Sequence, residues 1–401
     1  MDKALAGVRV IDFSRVLAGP YCTMLLADLG AEVIKIEHPI GGDDTRQWGP
    51  PWLNGQSAYY LCINRNKRSV ALNLKHPRGL DLAKRLIATA DVLVENFKVG
   101  TMEQFGLDYA TLSRQHPGLI YCSITGYGQT GPHRERPGYD FIIQAEGGVM
   151  SITGPPEGPP HKVGVAIVDV TAGLCASHAI LAALYYRQRS GRGQYIDVAL
   201  LDSQVAWLIN VAENYLISGE PPIRYGNAHP NIVPYEVFET ADGYLALGVG
   251  NDKQYQRLCE LADRLDLWQD ERFQSNPARV SHRATLIPLW QEVFRTRPTA
   301  AWVEALNAHG IPAAPINDLP AVFRHPQVLA RQMLQYVPQP QVGDIPQIGP
   351  VAKLSETPAQ ICQPPPTLGE HTHEILREEL NLEEEEISEL LKEGAIGCNT
   401  K

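Results

Sequence analysis

The sequence predicts an α/β fold: a large parallel sheet with helices on its faces, and a smaller α+β domain. Two observations carry this. Through the first two hundred residues, apolar runs of strand length alternate with segments of helical period, the rhythm of β-α-β units. From Tyr235 to about Pro315 that rhythm gives way to two strands followed by amphipathic helices.

In order, Val8–Phe13 reads as a buried strand, Pro20 opens a helix that Gly30 closes, and Glu32–Glu37 is the next strand. Ser69–Leu74, Pro77–Ala90 and Asp91–Glu95 repeat strand, helix, strand. A short helix at Tyr109–Arg114 and a strand at Leu119–Ile124 follow. Thr153–Pro160 is a loop, because its prolines serve neither a ladder nor a helix interior. Asp169–Arg189 is a long helix rich in small residues, Tyr195–Ala199 a strand and Asp202–Ile217 a helix. Gly219–Pro234 is turn-rich. Strands near Val237 and Leu245 and helices near Tyr255, Leu286 and Trp302 then build the smaller domain. The Pro-rich tract Val337–Pro350 returns the chain, and an acidic helix ends it. The expected division is 1–218 with 325–401 as the large domain and 219–324 as the small one.

Composition excludes several classes. With 44% hydrophobic and 20% charged residues the chain is neither disordered nor fibrous. Of the net charge of −10, −6 falls between Glu374 and Lys401, so the body is near neutral and offers no basic stripe to nucleic acid. Met1–Phe13 holds no signal-peptide core, and no run is read as reaching the ~20 apolar residues of a membrane span. Seven cysteines (Cys22, Cys62, Cys122, Cys175, Cys259, Cys362, Cys398) lack any Cys-x-x-Cys spacing and read as reduced core thiols in a cytoplasmic protein. His371 and His373 have no further ligands in sequence, so no metal is expected.

The first strand is followed by Ser14-Arg-Val-Leu-Ala-Gly-Pro20, which has one glycine where a dinucleotide fingerprint needs three, so no nicotinamide cofactor is expected. No P-loop and no Gly-x-Ser-x-Gly elbow occurs. Three clusters remain. Asn64–Ser69 with Lys75 reads either as a solvated loop or as an anion cradle. Asn96, Phe97 and Lys98 follow a strand end, where open sheets bind ligands. Asp169, at the start of its helix, reads most simply as an N-cap.

Taken together, several blocks resemble the class III CoA-transferases, the family of formyl-CoA and carnitine CoA-transferases. These are Arg9–Phe13 with Ala18-Gly-Pro, Gly30–Glu37, Asn66–Val70, Asp91–Phe97, Gly126–Pro132, Gly191–Gln194 and Leu368–Thr372. The resemblance runs from Leu5 to beyond His371. It implies a doubly wound large domain assembled from both chain ends, two interlocked ring-like subunits in a homodimer, and acyl-CoA and small carboxylates as substrates. It assigns Asp169 as the nucleophile, forming an aspartyl anhydride and then an aspartyl-CoA thioester. Coenzyme A contacts are implied at Arg15, Leu17, Ala18, His38, Leu72, Asn73, Leu74, Lys75, Asn96, Phe97, Lys98, Gln104, Arg136 and Tyr139. Asp140 flanks the thioester, and Gly248, Val249, Gly250 and Asn251 resemble the glycine loop that covers the site. The alternative is an α-methylacyl-CoA racemase of the same superfamily. Such enzymes carry a proton-shuttling His where this chain has Tyr139, a poor base at neutral pH. A non-catalytic acyl-CoA-binding protein is the third reading, disfavoured by the intact Asp169. The short linker Arg224–His229 resembles dicarboxylate-type, succinyl-CoA transferases.

Overall fold

Strand β1 (Arg9–Asp12) sends Val10 to one face of a sheet and Ile11 to the other, and both are fully buried. A strand apolar on both faces belongs at the centre of a covered parallel sheet. In the computed structural model, which describes residues 3–398, it does. β1 pairs in parallel with β2 (Glu32–Glu37) on one side and β4 (Val92–Glu95) on the other. β3 (Lys67–Leu72), β5 (Ile120–Thr125) and β6 (Tyr195–Ala199) extend the sheet, and β7 (Ile396–Gly397) adds an antiparallel edge to β3. The order β7-β3-β2-β1-β4-β5-β6 is that of a doubly wound sheet whose direction of winding reverses between β1 and β4.

Each face has its own core. Ile11, Ile34, Val70 and Leu93 pack with Leu82 and Leu86 of α2 (Pro77–Ile87) and with Ile375, Ile387 and Leu390 from the carboxyl-terminal helices. Val10, Val33, Val92 and Ile120 pack with Cys22 and Leu26 of α1 (Ala18–Asp28) and Ala172, Ala176 and Ile180 of α4 (Ile167–Ser190). The acidic tail is therefore structural: Arg68 pairs with Glu32, Glu374 and Glu379, and Arg78 with Glu386 and Glu393.

The chain divides into two compact units. One is Met1–Val149, Val163–Ala212 and Pro326–Lys401; the other is Met150–Lys162 with Glu213–His325. Within the second, an antiparallel sheet of Tyr235–Glu239, Tyr244–Gly248 and Ala313–Pro315 packs on helices around Trp290, Phe294 and Trp302.

Several expectations change. Val337–Pro350 is largely an antiparallel ribbon, Leu334–Gln339 against Gly343–Ile348; prolines fit there because a two-stranded ribbon is all edge. The helix expected over Asp202–Ile217 breaks into Leu200–Ala206 and Ile209–Ser218, with Ile209 at a φ of 40°. Helix α4 is long and apolar enough, by length and composition alone, to cross a membrane, contrary to the sequence reading. Its many small residues disguise the run, and its inner stripe covers the sheet. Cys22, Cys122 and Cys259 are core thiols, but Cys62, Cys175 and Cys362 are exposed and Cys398 is half-buried, since an apolar neighbourhood in sequence does not fix which way a residue faces.

Candidate active site

At the reversal point the loop after β1 meets the loop after β4. Two adjoining cavities open there. One, of about 190 Å³, is lined by Arg15, Leu17, Ala18, Asn96, Phe97, Lys98, Arg136, Tyr139 and Asp169. The other, of about 300 Å³ and more apolar, is lined by His38, Leu72, Asn73, Leu74 and Lys75 and shares Arg15 and Phe97 with the first. The Arg15 guanidinium lies 5.4 Å from the Phe97 ring centre and pairs with Asp44 at 3.1 Å, between the two spaces. Lys75 and Lys98 make no ion pair among the described residues and leave two cations for an anionic ligand.

Asp169 is the third residue of α4, not its N-cap. That place falls to Ala166, which has no capping side chain. The cap comes instead from Asp140, the first residue of α3 (Asp140–Glu146). Its Oδ1 accepts from Val168 N at 2.8 Å, while Oδ2 accepts from Gln144 Nε2 at 2.7 Å. Asp140 thus stabilises the helix end that Asp169 would otherwise have to cap. The Asp169 carboxylate is left without a hydrogen-bond partner among the described residues. Burial, reinforced by the negative charge of Asp140, pushes its pKa up to about 7. A more basic carboxylate is a stronger nucleophile once ionised.

Asp169 reaches the cavity through a close helix crossing. A Cβ on Gly173 would lie 2.6 Å from Ala18 O, so α4 and α1 touch backbone to backbone there. Residues four apart share a helix face, so Asp169 sits one turn further along, beside the start of α1. In that first turn the N–H groups of Leu17, Ala18 and Gly19 have no acceptor among the described residues, and Pro20 has no N–H. The neighbouring wall is fixed by Gly126 and Gly138: a Cβ on Gly126 would lie 2.5 Å from Gly138 Cα, so the segment carrying Arg136 and Tyr139 crosses directly over the end of β5.

Glu95 was not singled out by sequence. It ends β4, is buried, and burial pushes its pKa up to about 7 against hydrogen bonds from Ser123 Oγ and Phe97 N. Tyr59, also missed, feels Asp169: burial and then that carboxylate push its phenol up to about 12. Its ring packs edge-on against Trp48, 5.2 Å between centres. Neither carries a motif; only proximity in the fold marks them.

Other expectations are redirected. The Asn64–Ser69 cluster is no anion cradle. Arg65 is buried against Asp28 at 2.7 Å and Lys67 against Asp12 at 3.2 Å, so these charges neutralise carboxylates inside the fold. Gln104 is exposed at the end of the short helix Thr101–Gln104 and lines neither cavity. Arg136 is held by Glu146 at 2.6 Å. In the smaller unit, Gly248 N donates to Pro312 O, Val249 N to Pro234 O and Gly250 N to Gln254 Oε1, while Asn251 caps the helix Asp252–Leu261. The glycine loop's donors are therefore already engaged. Among the described residues no three His, Cys, Asp or Glu side chains gather as a metal set, and His373 pairs with Glu384.

A doubly wound sheet with two adjoining cavities, spare cations and an unpartnered carboxylate is the frame of an enzyme for an anionic substrate. The family model for CoA-transferase family III matches residues 5–372, and the chain belongs to that family. It is 47% identical over 394 residues to the succinyl-CoA:glutarate CoA-transferase of Mus musculus, covering 98% of this chain and 90% of that protein. The succinate–glutarate CoA-transferase of Agrobacterium fabrum is 48% identical over 385 residues, 93% of this chain and 95% of the other. A crystal structure of a CAIB/BAIF family protein from Brucella suis matches with a TM-score of 0.84 at 44% identity, over 94% of this chain and 100% of that one.

Proposed function

We propose that this CoA-transferase moves CoA from succinyl-CoA to a dicarboxylate of glutarate size through covalent intermediates on Asp169. The observation that carries the reading is the unpartnered Asp169 carboxylate beside the free N–H groups of Leu17 and Ala18 in one cavity. In this reading the Asp169 carboxylate attacks the thioester carbonyl, and the backbone donors stabilise the oxyanion that develops. Loss of CoA thiolate leaves a mixed anhydride. The thiolate then attacks the Asp169 acyl carbon, releasing succinate and forming the aspartyl-CoA thioester. The acceptor carboxylate attacks that thioester and expels the thiolate, which attacks the new anhydride at the acceptor's acyl carbon and restores Asp169. One thioester is consumed and one is formed per turnover, so no external energy source enters. The names of the mouse and Agrobacterium relatives support the substrate pair. Lys75 and His38 flank the more apolar cavity, which suits the nucleotide end of CoA.

The protein is also proposed to work as a homodimer whose subunits interlock. Leu174, Tyr185 and Tyr186 on the outer face of α4 are exposed, as are Ile209, Leu216 and Ile217 on the next long helix. A second copy is the occupant that would bury them. Light scattering should give twice 44.3 kDa.

The central test is chemical trapping. Protein incubated with succinyl-CoA and quenched with hydroxylamine should carry a hydroxamate at Asp169, found by peptide mass spectrometry. α-Proton exchange of a 2-methylacyl-CoA in deuterated water without any acceptor would favour the racemase instead.

A further inference from the structure

The loop that presents Leu17 and Ala18 is held by charges that solvent does not reach. Lys35 sits mid-strand in β2, fully buried. Its ammonium donates to Ser14 O at 2.7 Å and pairs with Asp43 Oδ2 at 2.9 Å. The other oxygen of Asp43 accepts from Val16 N at 3.2 Å, Thr45 N at 3.0 Å and Thr45 Oγ1 at 2.8 Å. From the β4 side, Asn96 Oδ1 accepts from Arg15 N at 2.8 Å and its Nδ2 donates to Arg15 O at 2.7 Å. Between these anchors Val16 has a φ of 70°. A β-branched residue in the left-handed region is strained and persists only where its surroundings enforce it. The anchored groups run from Ser14 O to Val16 N, and the next N–H groups along the chain, those of Leu17 and Ala18, are free.

The geometry points to Asp43, oriented by Lys35, as a positioning residue for transfer: it holds Val16 left-handed so that the Leu17 and Ala18 N–H groups face the carbonyl that Asp169 attacks. The inference rests on the covalent reading above. These contacts call for a carboxylate. An ionised Asp only accepts hydrogen bonds, whereas Asn would turn its NH2 either toward the Lys35 ammonium or toward the N–H groups of Val16 and Thr45. Strain of this kind is stored at sites where the backbone must present a fixed geometry.

The test uses the full chain with succinyl-CoA and glutarate. Asp43→Asn should lower kcat by on the order of 10²-fold, the usual effect of an ångström-scale misplacement, while KM for succinyl-CoA stays within about threefold. Adding Val16→Gly to Asp43→Asn should restore about tenfold of the lost kcat, because glycine adopts a positive φ without an enforcing contact. A merely structural Asp43 gives no such rescue. Near-normal kcat in Asp43→Asn, or a double variant no faster than the single one, overturns the proposal. If Asp43→Asn fails to fold by circular dichroism, amide exchange in the unaltered enzyme decides: the Val16 amide should exchange slowly, and coil-like exchange there refutes the clamp. Absence of any CoA transfer by the unaltered enzyme would instead sink the covalent reading, an outcome visible before any Asp43 variant is made.

Discussion

Asp169 and Glu95 are two carboxyl groups raised by burial to the same pKa, about 7, in the same unit of the molecule. Their hydrogen bonding differs. Glu95 closes a strand, and its oxygens are taken by Ser123 Oγ and Phe97 N. Asp169 opens a helix whose end is already capped by Asp140, so its lone pairs face a cavity. A perturbed pKa therefore does not by itself mark a reactive group. Burial raises both; only the group relieved of structural hydrogen bonds is left with lone pairs to offer an electrophile.

The comparison breaks most readily at Asp169. Asp169→Ala should lower transfer by on the order of 10³-fold or more while still binding CoA, measured by steady-state kinetics and calorimetry. Activity within tenfold of wild type would remove the distinction between the two carboxyls. Next in size is Gly173→Ala. Its Cβ would press on Ala18 O, a backbone atom that cannot rotate away, and overpacking of this kind costs about 1–3 kcal/mol. We expect a lower Tm and a tenfold or larger loss of kcat as α4 and its Asp169 are pushed off α1.

A smaller effect sharpens the electrostatics. If Asp169 must be ionised to attack, kcat/KM rises with pH through about 7. Asp140→Asn keeps an acceptor for Val168 N, loses the bond from Gln144 Nε2 and removes the neighbouring charge, so the acid limb should move to lower pH. A limb unmoved in Asp140→Asn would leave burial as the sole cause. The smallest effect is expected at Glu95. Glu95→Gln should keep kcat within about threefold, because Gln can still accept one bond and the Ser123 hydroxyl can rotate to accept the other. The sign of its stability effect follows from linkage. The folded pKa of Glu95 lies above its ordinary 4.5, so the stabilisation linked to its proton is full below pH 4.5 and is lost as pH rises through about 7. Glu95→Gln should therefore gain Tm relative to wild type between pH 5 and 8; a constant difference across that range would contradict the raised pKa.

Much of the frame was legible in the residues. Apolar runs such as Val8–Phe13 and Glu32–Glu37 carry side chains to both faces, which only a covered parallel sheet accommodates, and Asn96–Lys98 falls past a strand end where such sheets bind ligands. The helix of small residues was legible too, because close helix packing needs a position like Gly173. One signal was present but unread: Lys35, a charge in the middle of an apolar strand, must find a buried partner.

What the chain order could not say is which polar groups are already satisfied. The run Asn64–Ser69 looks like an anion cradle until the fold brings Asp12 and Asp28 to its charges. The turn Gly248–Asn251 looks like a set of free donors until Pro234, Pro312 and Gln254 arrive to accept them. Asp169 looks like an N-cap until Asp140, 29 positions earlier, takes that task. Strand and helix period are local properties and follow from sequence. Whether a donor, acceptor or charge remains free depends on neighbours far away in the chain, and only the tertiary structure decides it.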